Sequence, residues 1–168
     1  MKRRFATAGV ALFALSACTP DFDWRELNSA EGGFSALMPA KPHYEKRPLA
    51  GAPTVVMHLW SGRAGESVFG VGYADYPAAD ARVMDATRDA LVANIRGRVT
   101  EEKPIVQHGL RGRELTAESG DIVLKARLFT SGPRMFEVVV IGRRRALKDA
   151  ATEVDLFLSS FRPFSAGT

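Results

Sequence analysis

The strongest constraint on the fold is a single alternating run. In Ile122–Thr130, Ile122, Leu124, Ala126 and Leu128 alternate with Lys125 and Arg127. Successive side chains of a strand point to opposite faces, so this run is a strand with one dry face and one wet one. Antiparallel sheets carry such strands, whereas parallel sheets are covered on both sides and read as unbroken apolar runs. Other segments repeat the pattern. In Thr54–Ser61, Val55, Met57 and Leu59 face one way, with His58 and Trp60 on the other side. In Val68–Tyr76, Phe69, Val71 and Tyr73 share a face, and Gly62–Gly65 supplies a hairpin turn between the two runs. Strands are also predicted near Trp24–Leu27, Phe34–Met38, Val99–His108 and Gly112–Ser119. Gly32-Gly33 and Ser119-Gly120-Asp121 make turns, and Pro39 and Pro42 end the second strand because proline cannot donate to a ladder. Arg134–Gly142 is apolar on both faces, which marks a central strand.

Two segments have helical period. Asp80–Arg96 places Met84, Thr87, Leu91 and Ile95 on one stripe and Arg82, Asp85 and Asp89 opposite it. Asp80 can cap its start, and Gly97 suits the position past its end. Arg145–Leu158 gathers Leu147, Ala150, Ala151, Val154, Phe157 and Leu158. The fold class is therefore α+β: a central, mostly antiparallel sheet with helices packed on its faces.

At 168 residues the chain fits one domain. Its one cysteine, Cys18, cannot form an internal disulfide, so core packing alone must hold the domain together. About two-thirds of the unfolded surface can be buried at this size, enough for that purpose.

The N-terminus reads as an address. Lys2, Arg3 and Arg4 precede an apolar stretch, Phe5–Leu15, and then Ser16, Ala17 and Cys18. That is the layout of a secretory signal peptide, and the stretch is shorter than the roughly 20 apolar residues that span a bilayer. Leu15-Ser16-Ala17-Cys18 resembles the lipobox of bacterial lipoproteins. The resemblance implies cleavage before Cys18, a thioether to diacylglycerol on its sulfur, and acylation, commonly by palmitate, of the new amino group. Two or more chains make such anchoring stable where one does not. Residues 1–17 are then the signal peptide, 18–23 a lipidated tether and 24–164 the domain. Thr19, rather than an aspartate, follows the cysteine, and by the enterobacterial rule this leans toward the outer membrane, with the body facing the periplasm. The formal charge of +4 does not indicate a nucleic-acid partner: without Lys2, Arg3 and Arg4, 20 basic residues face 19 acidic ones.

The mature chain also resembles a known family. Phe34 to Met38-Pro39 is followed by paired strands, a helix, and a hairpin with Gly112-Arg113-Glu114 and Lys125-Ala126-Arg127. Met135-Phe136-Glu137-Val138 then leads to a last helix and Phe157-Leu158-Ser159-Ser160-Phe161. Over about residues 24–164 this resembles the PsbP-like domains, named for an extrinsic subunit of photosystem II. The resemblance implies a central antiparallel sheet with helices on both faces. It also implies a role in binding or stabilising larger assemblies rather than in catalysis.

Motifs for chemistry are weak. His43, His58 and His108 have no metal-ligand spacing, and no metal or other cofactor is expected. Gly70-Val71-Gly72 lacks the third glycine and the helix start of a dinucleotide site; glycines there read as room for a helix to approach. No Gly-x-Ser-x-Gly is present. The densest charge run, Arg143-Arg144-Arg145, and the aromatic Trp60 form the candidate contact patch, for anionic headgroups or an acidic partner. The expected role is thus a non-catalytic, membrane-anchored binding protein of the cell envelope, with an envelope protein as partner. The alternative is a periplasmic enzyme or small-ligand binder whose site assembles only in the fold.

Overall fold

The computed structural model describes residues 21–49 and 52–164. The predicted signal segment and Cys18 lie outside the described residues. Among the described residues, ten strands and three helices follow in chain order: β1 (Arg25–Ser29), β2 (Phe34–Met38), β3 (His43–Leu49), β4 (Ala52–Ala64), β5 (Ser67–Asp75), α1 (Ala81–Asn94), β6 (Arg98–Gln107), β7 (Leu110–Ser119), β8 (Ile122–Ser131), β9 (Arg134–Arg143), α2 (Arg144–Asp149), α3 (Ala151–Ser160) and β10 (Arg162–Pro163). Seven strands form one sheet in the order β3-β4-β5-β9-β8-β7-β6, with every neighbouring pair antiparallel. A small sheet, β1-β2-β10, makes a second antiparallel unit, where one central sheet is expected from the sequence.

The pleat sorts β8 as expected on one face only: the other face, expected to be wet, carries buried Val123 and Phe129 beside half-buried Lys125 and Arg127. Leu124, Ala126 and Leu128 lie under α1, together with Leu115, Ala117 and Met135, where Met84 and Leu91 cover them. Phe129, on the other face of β8, joins Phe69, Val71, Phe136, Val138 and Val140. That second face is covered by Phe34 of β2 and by Val154, Phe157 and Phe161 at the end of the chain. Strands dominate the molecule, and the layer over this face is shared between the small sheet and the α2–α3 pair. The expected all-helical cover is therefore only part of it. β9, apolar on both sides, sits at the centre, with all residues from Met135 to Val140 buried.

Local chemistry explains the element ends. The Asp80 carboxylate accepts from the backbone N–H groups of Arg82 and Val83 at 2.9 and 3.3 Å, satisfying donors that a helix start leaves open. At the other end the left-handed residue is Arg96 (φ 51°), one position before the expected glycine. Gly97 is needed for a different reason: a Cβ there would lie 2.6 Å from the Glu118 carbonyl oxygen. The predicted helix over 145–158 is broken at Ala150, whose φ and ψ of −103° and 29° separate α2 from α3. In β5, a Cβ on Gly72 would lie 2.7 Å from the His58 carbonyl oxygen and 3.2 Å from Met57 Sδ. The close neighbour of that glycine is thus the adjoining strand β4, not a helix.

The sheet's margins are β3 and β6. Both are charged, through Glu45, Lys46 and Arg47 on one and Glu101, Glu102 and Lys103 on the other, and each carries a proline, Pro48 and Pro104. Proline and charge on an edge discourage further pairing.

Candidate functional site

Strand pairing lines up His58, Tyr73, Phe136, Phe129 and Gly112 in one row across five strands, all on the face opposite α1. The small sheet and Phe161 cover the middle of this row: Phe34 meets Phe136 at 6.1 Å between ring centroids, and Phe161 stacks on Phe129 at 5.5 Å. The β3–β4 end is less covered, and an aromatic corner forms there. The His58 imidazole stacks on the Tyr73 ring at 4.5 Å and 13°. The Tyr44 hydroxyl and His58 Nδ1 share a hydrogen bond of 2.8 Å. Tyr44 also lies 4.7 Å from Trp60, which sets its own edge on Phe34 at 5.5 Å. Tyr73 is 2% exposed, and burial chiefly pushes its hydroxyl up to about 12. Tyr44 is 43% exposed, and Trp60 and His58 are half-buried. The corner thus presents aromatic surface with a phenol and an imidazole as polar handles, a composition found where proteins meet partners.

Beside the corner lies an ionic clasp. Arg134 Nε and Nη2 donate to the two Asp75 carboxylate oxygens at 2.6 and 2.7 Å. Its Nη1 donates to the carbonyl oxygens of Glu31 and Gly32, both at 2.8 Å. Its guanidinium also sits 4.3 Å from the centroid of the Tyr73 ring. Arg134 therefore ties the β1–β2 turn of the small sheet to β5 of the large one. The bonds from Arg134 hold the Asp75 carboxyl below the usual carboxylate range, and nearby His58 adds to this. An open depression of about 570 Å³ spreads over the clasp, lined by Gly32, Gly33, Asp75, Arg134, Phe136 and Phe164.

On the α1 face, Glu137 is 9% exposed and makes no side-chain hydrogen bond with a described residue. Burial pushes its carboxyl up to about 7, with Arg47 on β3 opposing the shift. It occupies the centre of the sheet, paired with Gly72 and Leu128.

The residues of the predicted contact patch do not lie together. Trp60 pairs with Val71, which pairs with Val138, so Trp60 belongs to the middle of the strands. Arg143 is five residues farther along β9, about 17 Å away at strand rise. The three arginines also have partners. Arg143 lies 3.6 Å from Glu66 and 3.5 Å from Asp121. Arg144 grips Glu118 with two bonds of 2.7 and 2.9 Å, and Arg145 lies 3.6 Å from Asp149. Nor do the histidines converge. His43 and His58 fall on opposite faces of the β3–β4 pair, and His108 (φ 47°) sits in the β6–β7 turn at the far margin. Among the described residues no group of three His, Cys, Asp or Glu side chains is placed to hold a metal, and no helix is long and apolar enough to cross a membrane.

Phe22, expected in the tether, already packs on the body. It stacks on Trp24 at 5.5 Å and meets Phe69 edge-on at 6.1 Å, while the Asp23 N–H donates to the Pro39 carbonyl at 2.8 Å. Tyr44 and Arg134 were not singled out in the sequence, because neither stands in a motif. Glu137, a lone acid inside Met-Phe-Glu-Val-Val-Val-Ile, was a visible signal.

Comparison with known proteins bears on the fold. No protein-family model matches the chain, and no curated protein matches it significantly. Among solved structures, the cyanobacterial PsbP protein CyanoP from Synechocystis sp. PCC 6803 is similar, with a TM-score of 0.62 at 10% identity over 91% of this chain and 99% of that one. A Pseudomonas aeruginosa protein of unknown function, described as a putative regulator, gives a TM-score of 0.48 at 16% identity over 83% of this chain and 96% of its own. The described domain has the PsbP-like fold.

Proposed function

We propose that this chain is an envelope lipoprotein, held on a bilayer through acylated Cys18, whose domain binds a protein partner without catalysing a reaction. The observation that carries the reading is Leu15-Ser16-Ala17-Cys18 behind a basic start and a short apolar stretch. Cysteine is required at that position because its thiolate is the nucleophile for lipid transfer. Thr19 favours the outer membrane, with the domain in the periplasm. The aromatic corner of Tyr44, His58 and Trp60 is the contact surface in this reading. The charged groups beside it support a binding role rather than a reactive one, since Arg134 and Asp75 are engaged with each other and with the backbone.

The 570 Å³ depression favours a second reading, a small-ligand site. It would require Arg134 to exchange Asp75 or the β1–β2 turn for the ligand.

Intact-mass analysis of the mature protein tests the anchor: a start at Cys18 carrying acyl chains is expected, and an unmodified or different start defeats the reading. Crosslinking in the intact envelope tests the partner. The double variant Tyr44→Ala, Trp60→Ala should lose a captured species that the parent protein retains, while remaining folded and acylated.

A further inference from the structure

We infer that the folded body stands on one end over the bilayer, with the β4–β5 and β7–β8 turns facing lipid and the Arg134 depression facing away. The inference rests on acylation of Cys18 and adds to it a direction. The strands give the molecule two poles. One pole holds the β4–β5 turn at Gly65-Glu66, the β7–β8 turn at Gly120-Asp121 and the end of β9 at Arg143. The other holds Asp75, Arg134 and the turns at Gly33 and Gly132. From Ser67 to Asp75, β5 alone separates them by about 27 Å.

The chain enters the body at the first pole. Asp21 and Phe22 line a hollow with Gly65, Glu66, Ala146 and Asp149. Phe22 is fixed there by Trp24 and Phe69, and β1 then runs toward the opposite pole, where Arg134 clasps the turn that follows it. Only four residue steps separate Cys18 from Phe22, a reach of at most about 14 Å. Phe69, on which Phe22 packs, stands six residue steps from Asp75, so bringing the Arg134 pole down to the lipid would lift Phe22 roughly 20 Å from the surface, beyond that reach. Half-buried Phe22 and Trp24 sit at the end nearest the anchor, where the amphipathic indole of Trp24 suits the headgroup region. Arg143, Arg144 and Arg145 at this pole each face a carboxylate, so the short tether, more than attraction of this run to anionic headgroups, sets the direction.

Acylation consumes the one thiol of the chain, so a cysteine introduced elsewhere is the single reactive one. Full-length acylated Glu66→Cys and Ser131→Cys proteins, both altered at exposed positions, are labelled with a small fluorophore. They are then reconstituted into vesicles of phosphatidylethanolamine and phosphatidylglycerol containing a headgroup quencher. The label at position 66 should be quenched several-fold more than the label at 131. Equal quenching, as for a body lying on its side, or stronger quenching at 131 overturns the inference. A flexible insertion of about twelve residues between Thr19 and Pro20 should erase the difference; an unchanged difference means that the tether does not set the direction. Intact mass of the reconstituted protein separates the two claims. Missing acyl chains defeat the lipoprotein reading and this inference with it, whereas acylated protein with reversed quenching defeats the direction alone.

Discussion

Two side chains carry much of the molecule's electrostatic character. Arg134 makes four hydrogen bonds and covers a tyrosine ring, and it does so across the junction of two sheets. Arg134→Ala should cost about 2–3 kcal/mol in urea unfolding, because it strands a carboxylate and two carbonyls at once. Arg134→Lys should recover little, since an ammonium lacks the planar fork that grips both oxygens of Asp75. Glu137 acts in the opposite sense. Its carboxyl is raised to about 7 by burial, so the folded state holds a proton that the unfolded chain releases near pH 4.5. Stability contributed by the protonated form is therefore present below pH 4.5 and declines as pH rises through 7, by up to roughly 3 kcal/mol. Glu137→Gln should flatten that decline and be the more stable protein at pH 8; parallel pH profiles for the two proteins would refute the assignment.

At the level of elements, the latch between β6 and α3 is the clearest case of a side chain closing a helix end. Gln107 Nε2 donates to the carbonyls of Leu158 and Phe161 at 3.0 and 2.9 Å, while its Oε1 accepts from Arg127 at 2.8 Å. Gln107→Ala should destabilise by about 1–2 kcal/mol and loosen α3 first, seen as faster amide exchange over Ala151–Ser160. The elements that were legible in the sequence are those whose two faces differ. α1 shows its period because one side of it is dry, and β8 because Lys125 and Arg127 interrupt its second face, although Val123 and Phe129 on that face are buried. β3 was not legible for the same reason: it is an edge with neither face covered, and His-Tyr-Glu-Lys-Arg-Pro-Leu carries no alternation. With β3 unread, Tyr44 could not be set beside His58 and Trp60, so the aromatic corner was seen only in part. The break at Ala150 was hidden because alanine is a good helix former and the apolar stripe runs through it. The scattering of Trp60 and the arginine run was hidden too, since their separation follows from pairing register rather than from spacing along the chain.

Seen whole, the described body has two poles, and its large sheet has two margins, β3 and β6. If acyl chains supply the attachment, raising the salt concentration should leave the membrane-bound fraction unchanged, and only detergent or Cys18→Ser should release the protein; a salt wash that strips it would point to headgroup charge instead. The margins bear on what would follow if many acylated copies shared a membrane. Confinement to a plane multiplies sideways encounters between neighbours, and sheets that meet edge to edge can fuse into fibres. The prolines and mixed charges of β3 and β6 deny such encounters a template along the large sheet, so crowding by itself would not knit these sheets together.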